Sequence, residues 1–169
     1  MARRLLAVVA VLVALGRPAG AQSKDWLRPN LIHPGLWRGH APYRTQHYEQ
    51  IKALGVRTIL DMRGNQPFAS ARERRLAAQH GLDYINVPIS FRPLRDGSGD
   101  AVVAAMADAS KYPMYVHCNI DRDRTSAAVA AYRVKVQGWS VAAAEREAKA
   151  HGIRWQYFGL NRYIRAGGG

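Results

Sequence analysis

A cysteine and an arginine six positions apart are the side chains of this sequence best suited to chemistry. Cys118 is the chain's single cysteine, and five residues separate it from Arg124. A loop of this length lets successive backbone N–H groups converge on one anion, and an arginine adds a planar fork that grips two phosphate oxygens. The same positive field favours the nucleophilic thiolate over the thiol. The spacing therefore predicts a phosphate-binding loop with a thiolate at its base.

The residues on either side of this loop predict a strand and a helix that would position it. Met114 to Val116 are apolar and lead into His117, which indicates a short buried strand, and residues 127–134 are typical of a helix with a small apolar face. A helix that begins inside the loop directs unpaired N–H groups and the positive end of its dipole at the anion. Thr125 is placed to hydrogen-bond the sulfur. A lone cysteine is also commonly a small buried apolar residue, and that alternative stays open here.

The segment from His117 to Thr125 resembles the signature of the protein tyrosine and dual-specificity phosphatase superfamily, His-Cys-x-x-Gly-x-x-Arg-Ser/Thr. With Asp123 before the arginine, it is similar to a bacterial secreted dual-specificity-like branch and to the myotubularin and Sac-type lipid phosphatases. The resemblance extends over about residues 31–164. It implies hydrolysis of phosphate monoesters through a phosphocysteine, with Cys118 as the nucleophile and no cofactor. The residues that the resemblance assigns to phosphate binding are Asn119, Ile120, Asp121, Arg122, Asp123 and Arg124.

One residue departs from the family pattern, because Asp121 stands where glycine is usual. Aspartate tolerates the left-handed backbone that the glycine would adopt, but its carboxylate repels a bound phosphate. Arg122 is adjacent, and we expect it to neutralise that charge. The alternative to an active enzyme is therefore a catalytically weak or inactive phosphate-binding protein. A sulfur-transfer enzyme is disfavoured, since the His-Cys pair and the Arg-Thr closure both resemble phosphatases.

The resemblance also implies a general acid that protonates the leaving oxygen, and three aspartates compete for this role. Asp96 lies in the glycine-containing loop 91–100, which precedes the next predicted helix, and it is the first candidate. Asp100 directly precedes that helix and is better suited to cap it. Asp123 is the third candidate by analogy with the lipid phosphatases. His117 resembles the family histidine that braces the loop.

Metal chemistry is not indicated by the sequence. The remaining histidines show no metal-ligand spacing, so we expect no metal; they are His33, His40, His47, His80 and His151.

Asp61 and Arg63 end the clearest predicted strand, where they either line the cleft or form a structural ion pair.

The charge of the chain is strongly basic. Lysine and arginine total 25 against 12 acidic residues, for a formal net charge of +13. Such a balance favours phosphorylated or other anionic partners, an anionic membrane surface among them, although a merely solvated basic surface is the alternative. Nucleic acid is not expected, because the aromatic residues are not interleaved along one basic face. We expect a monomer.

The first 21 residues are predicted to be a signal peptide. Arg3 and Arg4 precede the apolar run Leu5 to Leu15, and Ala19-Gly20-Ala21 supplies small residues for cleavage. We therefore expect a secreted or periplasmic protein, with an uncleaved membrane tether as the alternative. Residues 22–35 are predicted to be an extended arm, 36–165 the phosphatase-like domain and 166–169 a disordered tail.

The fold expected for that domain is α/β. Helix, strand and loop alternate through the chain, which predicts a single domain with a four- or five-stranded, mainly parallel sheet flanked by helices. Strands are expected at 36–38, 56–62, 84–89 and 114–117. Helices are expected at 43–54, 68–80, 101–109, 127–136, 141–150 and 155–164.

Overall fold

The computed structural model describes residues 26–92 and 97–168, which form one sheet with helices on both of its faces. The strand order is β1-β2-β5-β3-β4. All neighbouring strands are parallel except β1, which pairs antiparallel with β2 at the edge. The mainly parallel sheet predicted from the sequence is thus confirmed. The strands are β1 Asn30–His33, β2 Leu36–Gly39, β3 Thr58–Asp61, β4 Asp83–Asn86 and β5 Met114–His117.

The helices form two layers, one on each face of the sheet, and each layer packs on the sheet through its own apolar cluster. One cluster joins α1 and α2 to the sheet through residues such as Tyr48 and Ile59, and the other joins the four remaining helices to the opposite face. Among the described residues, no helix is long and apolar enough to cross a lipid bilayer. The helices are α1 Thr45–Ala53, α2 Pro67–Gln79, α3 Ser98–Ala107, α4 Asp123–Lys135, α5 Val141–Ala150 and α6 Phe158–Arg165.

Strand β5 occupies the centre of the sheet and is buried along its whole length. Its side chains alternate between the layers, as strand geometry requires: Tyr115 enters the α1–α2 cluster, whereas Met114 and Val116 enter the other. A parallel strand covered on both faces reads as a continuous apolar run, which is why its position could be predicted. The strand delivers its last residue, His117, to the carboxyl edge of the sheet.

Helix α4 supports the loop that follows β5. Every residue from Asp123 to Arg133 is buried, and the helix packs against α3, α5 and α6. Four alanines among these residues, at positions 127, 128, 130 and 131, let the neighbouring helices approach closely. A helix enclosed in this way holds its amino terminus fixed, and that terminus is part of the loop.

Several boundaries differ from the sequence prediction. Residues 30–33 of the predicted arm are strand β1, so β2 is an inner strand and not an edge. Residues 166–168 of the predicted tail contact the body of the domain, since the Gly168 N–H donates to the Tyr163 carbonyl at 2.8 Å and Gly168 packs on Ala131. Residues 1–21, the predicted signal peptide, and residue 169 lie outside the described residues.

Candidate active site

The cysteine loop connects the end of β5 to the start of α4. Cys118 follows β5 directly and is only 3% exposed. The loop is hydrogen-bonded to the segment after β2. The Ala41 N–H donates to the Asn119 carbonyl at 3.0 Å, and His40 forms an isolated antiparallel β-bridge with Ile120. Tyr43 donates its hydroxyl proton to the Asn119 side chain. The backbones of Asn119 and Ile120, together with the side-chain amide of Asn119, therefore hold the loop in place.

Cys118 is surrounded by groups that favour its ionised form. Burial alone would raise the pKa of the thiol. The Thr125 hydroxyl, the Arg124 charge and the backbone N–H groups of Thr125 and Asn119 outweigh burial, so that the pKa lies below its ordinary value. The groups predicted to activate the cysteine are thus assembled around it.

Arg124 lies in the wall of a cavity of about 450 Å³ beside the cysteine loop. Its Nη1 donates to Oδ1 of Asn65 at 3.1 Å, and its guanidinium lies 4.7 Å from the centre of the Phe91 ring. Its Nε is buried and has no hydrogen-bond partner among residues 26–92 and 97–168. Arg92 lines the same cavity and adds a second cation.

Asp121 has the left-handed backbone expected where a glycine is usual, with φ at +50°. Its partner is Arg38 and not Arg122, so the predicted neutralising residue was wrong. Arg38 Nε lies 2.9 Å and 3.1 Å from the two carboxylate oxygens, and Arg38 Nη2 donates to the Asp121 carbonyl at 3.0 Å. Burial raises the pKa of the Asp121 carboxyl to about 6, although Arg38 acts in the opposite direction.

Arg38 also reaches the start of α4. Its Nη2 donates to the Ser126 hydroxyl at 2.9 Å, and its side chain is only 2% exposed. A single guanidinium therefore joins the middle of the loop to the first turn of the helix.

Asp123 is the first residue of α4, and Arg154 binds its carboxylate. The Arg154 N–H and Nε donate to Oδ1 at 2.9 Å and 3.2 Å, and Nη2 donates to Oδ2 at 2.8 Å. Arg122 is a weaker partner, with its Nε 3.5 Å from Oδ2. The carboxylate predicted as a possible general acid thus fixes the turn after α5 to the cysteine loop.

His117 is fully buried between the loop and helix α2. Its Nδ1 lies 2.8 Å from the Cys118 carbonyl and its Nε2 lies 2.7 Å from Oε1 of Glu73. Burial opposes protonation of the ring, but the Glu73 carboxylate raises the pKa of His117 to about 9. The histidine is therefore an imidazolium at neutral pH, and it donates to the carbonyl of the catalytic candidate.

Asp61, Glu73 and His117 could also hold a metal ion by distance alone, since one ligand atom of each lies within 4.8 Å of the others. Arg63 supplies the charge that a cation would bring. Its Nε and Nη2 lie 2.9 Å from the two Asp61 oxygens, and it also contacts Glu73. The negative charges of Asp61 and Glu73 balance the positive charges of Arg63 and His117. The Asp61–Arg63 pair predicted at the end of β3 is therefore a buried structural ion pair.

The remaining candidates for the general acid differ in position. Asp96 lies outside the described residues. Asp100 is in the first turn of α3, which is capped by Gly97, so the predicted cap was wrong. Its carboxylate contacts Lys135, the last residue of α4. Lys135 is about 18 Å along that helix from Asp123, which places Asp100 far from the thiol.

Five residues of the site were not identified from the sequence: Arg38, Tyr43, Asn65, Glu73 and Arg154. Each reaches the loop from a distant part of the chain, and no local spacing signals the contact. The sequence offered one weak indication of Glu73, because it is an acidic residue among the arginines of α2. In the structure its side chain is buried.

The sequence matches the profile of the family described as "DSP-PTPase phosphatase fused to NAD+ Kinase" over residues 9–157. Comparison with functionally curated proteins gives no match.

Solved structures share the fold at low sequence identity. TpbA of P. aeruginosa is 22% identical, with a TM-score of 0.70 over 83% of this chain and 84% of that one. The catalytic domain of the PP-IP phosphatase SIW14 from S. cerevisiae, solved with citrate, is 16% identical, with a TM-score of 0.64 over 80% and 82%. PTPMT1 in complex with PI(5)P is 22% identical, with a TM-score of 0.61 over 85% and 97%. At these identities the likeness establishes the fold.

Proposed function

Since the chain belongs to the DSP-PTPase family, whose members are phosphoric monoester hydrolases of the tyrosine and dual-specificity type, we propose that it cleaves phosphate esters through a phosphocysteine on Cys118. The observation that carries the proposal is the Cys118 thiol itself. It is buried at the base of the loop, with its pKa lowered by Thr125, Arg124 and two backbone N–H groups. A buried cysteine kept only for packing would have its pKa raised.

The reaction has two steps. The Cys118 thiolate attacks phosphorus, the bond to the ester oxygen breaks, and the leaving oxygen takes a proton from the general acid. Water then attacks the phosphocysteine, and the phosphorus–sulfur bond breaks to release inorganic phosphate and the thiolate. Thr125 stabilises that thiolate as it leaves, through the same hydroxyl that lowers its pKa.

Charge stabilisation falls to Arg124 and the loop amides. Among the described residues the buried Nε of Arg124 has no acceptor, while Asn65 and Phe91 fix the plane of its guanidinium. An arginine that is already oriented loses little freedom when phosphate binds, and this preorganisation is the main source of rate acceleration in phosphoryl transfer.

We assign the general acid to Asp96, on the loop between β4 and α3. Phe91 and Arg92, which begin this loop, line the Arg124 cavity, and this supports the assignment. Asp123 is the second candidate. The three hydrogen bonds that it accepts from Arg154 engage both of its carboxylate oxygens in holding the turn after α5.

For the substrate, we propose a multiply phosphorylated small molecule or lipid headgroup, such as an inositol phosphate or a phosphoinositide. Arg92 shares the cavity with Arg124, and Arg122 is partly exposed at the loop. Several cations around one phosphate site favour a ligand with more than one phosphate over a single phosphotyrosine. Similar folds have been solved with PI(5)P in PTPMT1 and with pTyr in a serine variant of TpbA, so both classes belong in the test.

The test is release of inorganic phosphate from phosphotyrosine peptides, phosphoinositides and inositol polyphosphates. We expect turnover by the native protein, none by Cys118→Ser, and ligand affinity of the serine variant within about tenfold of the native value, because the amide loop survives. Comparable phosphate release by the serine variant would exclude the covalent mechanism. Tight phosphate binding without turnover by the native protein would instead establish the phosphate-binding alternative.

We further propose that the protein is exported and that its first 21 residues are removed. The proposal rests on the two arginines, the apolar run and the small residues of that segment. Expression of the full chain, followed by cell fractionation and intact-mass measurement, should recover a periplasmic protein that begins at Gln22. Recovery of the unprocessed chain from the cytoplasm would refute export.

A further inference from the structure

Two large aromatic side chains are exposed next to each other at the turn between α5 and α6. Trp155 is 75% exposed and Phe158 is 71% exposed, and their rings meet edge to face with centroids 6.0 Å apart. Neither side chain belongs to the hydrophobic core, because the core-facing side of α6 consists of other residues, including Leu160, Tyr163 and Ile164. Single exposed apolar residues are ordinary, but an adjacent pair forms a patch that favours a partner.

Cations surround this aromatic pair. Arg162 and Arg165 follow Phe158 at helical spacings of four and three, so all three lie on the outer face of α6. A groove of about 700 Å³ joins this face to Lys149 and Arg154. Among the described residues, the carboxylates in contact with these four cations are Glu145 and Asp123, which leaves an excess of two positive charges.

The patch opens beside the cysteine loop. Arg154, which precedes Trp155, binds Asp123 at the start of α4. Tyr157, which precedes Phe158, stacks on Phe91 with centroids 4.3 Å apart, and Phe91 lies under the guanidinium of Arg124. A surface bound to Trp155 and Phe158 would therefore lie next to the mouth of the Arg124 cavity.

We propose that Trp155, Phe158, Arg162 and Arg165 form a surface that docks the protein on an anionic lipid bilayer. Tryptophan and phenylalanine bury well at the boundary between headgroups and acyl chains, and flanking arginines reach lipid phosphates. The two rings cross at 71°, so they do not offer the parallel faces on which successive nucleic-acid bases stack. The combination of an apolar tip and a cationic rim complements a membrane surface in both respects.

The test is sedimentation with vesicles, using the protein purified after export with its amino terminus identified by mass. The vesicles contain phosphatidylcholine alone or with 30% phosphatidylglycerol. We expect binding only with phosphatidylglycerol, and a loss of roughly tenfold or more for Trp155→Ser/Phe158→Ser, because both side chains leave the bilayer. Arg162→Gln should weaken binding about fivefold, through loss of one charge near the surface.

Matched controls come from the rest of the chain. Phe68→Ser removes another exposed aromatic, on α2, and Lys52→Gln removes one exposed charge at the end of α1, so neither should change vesicle binding by more than about twofold. Because Arg162→Gln changes one exposed side chain, it tests the surface even if the double variant fails to fold. Equal binding by native protein and both patch variants, or equal binding to neutral vesicles, would overturn the proposal. So would binding to soluble inositol polyphosphate through this patch without sedimentation on vesicles.

Turnover on a soluble substrate separates docking from catalysis. The patch variants should release phosphate from a small soluble ester at the native rate. On substrate embedded in anionic vesicles, the same variants should release phosphate more slowly than the native protein. A protein that docks on vesicles but releases no phosphate would leave the docking surface established and refute the proposed reaction.

Discussion

Arg38 and Asp121, which are 83 positions apart in the chain, form a two-point ion pair at the middle of the cysteine loop. The carboxylate that would repel a phosphate is thus held by a guanidinium that is itself buried. The departure from the usual glycine is therefore accompanied by a compensating partner on β2, and this partner makes the loop compatible with an anionic ligand.

The pair can be tested by removing each member. Arg38→Met should lower the free energy of unfolding by about 3–5 kcal/mol, because it leaves an uncompensated buried carboxylate. Asp121→Gly should change kcat/KM by less than about tenfold, since it removes a charge that Arg38 already balances. The Arg38→Met/Asp121→Gly double variant should recover part of the lost stability in chemical denaturation. Strong activation of an otherwise inactive protein by Asp121→Gly would contradict our assignment.

The raised pKa of Asp121, about 6, predicts a pH dependence of anion binding. Below that pH the carboxyl is neutral, so the loop becomes more positive and an anion binds more tightly. In the Cys118→Ser background, sulfate affinity should rise by less than about tenfold between pH 7.5 and pH 5, because Arg38 already balances part of the charge, and calorimetry measures the change. Sulfate keeps its charge across this range. Burial and, after it, the Arg38 charge lower the pKa of His151, so Asp121→Asn is the control that isolates the aspartate. A steep dependence that survives Asp121→Asn would assign the effect to another group.

The Glu73–His117 pair predicts a pH dependence of stability. The folded pKa of His117, about 9, lies above the unfolded value near 6.5, so its stabilisation is complete below pH 6.5 and is lost as the pH rises through 9. The expected fall in unfolding free energy is about 3 kcal/mol between pH 6.5 and pH 9.5. Glu73→Gln should be less stable at pH 6.5 and should lose this slope. Glu147→Gln, which breaks the partly buried pair with Arg133, should destabilise the protein while keeping the slope.

Arg124→Lys should reduce phosphate release nearly as much as Arg124→Ala. A lysine cannot contact two phosphate oxygens in a plane, and it also loses Asn65 and the stacking on Phe91. Comparison of kcat/KM for the three forms checks this. Asn65→Ala is the milder control, because it removes one orienting bond and keeps the fork. Near-native activity of the lysine form would place Arg124 outside the phosphate site.

The general acid is assigned by varying the leaving group. Asp96→Asn should matter little for an aryl phosphate with a good leaving group and should cost on the order of 10²–10⁴-fold for an alkyl phosphate. Asp123→Asn should lower both rates together, because it loosens Arg154 and with it the turn beside the loop. If Asp123→Asn shows the leaving-group dependence instead, the acid is Asp123.

The central strand, the loop and most helices could be predicted because their signals are local. β5 is an apolar run, the loop has a fixed spacing, and α5 is an alanine-rich segment at residues 141–150, where a helix was expected. Each of these features depends on residues within a few positions of one another. Local pattern and observed structure agree there.

The partners of the loop could not be predicted, since they depend on which strands become neighbours. Arg38 meets Asp121 because β2 lies beside β5, and Glu73 meets His117 because α2 covers the same face. Arg122 was preferred as the partner of Asp121 on adjacency alone, but the left-handed turn directs the aspartate towards β2. Adjacency in sequence does not give proximity at a turn.

The strand order has a consequence for biosynthesis. β5 lies between β2 and β3, so until residue 117 has been made the sheet consists of two separate pairs, β1–β2 and β3–β4, with no hydrogen bonds between them. Two-stranded pairs are marginal on their own in water. Completion of the sheet and assembly of the anion-binding loop are therefore coupled, and both wait until about two thirds of the chain, through residue 117, has been synthesised.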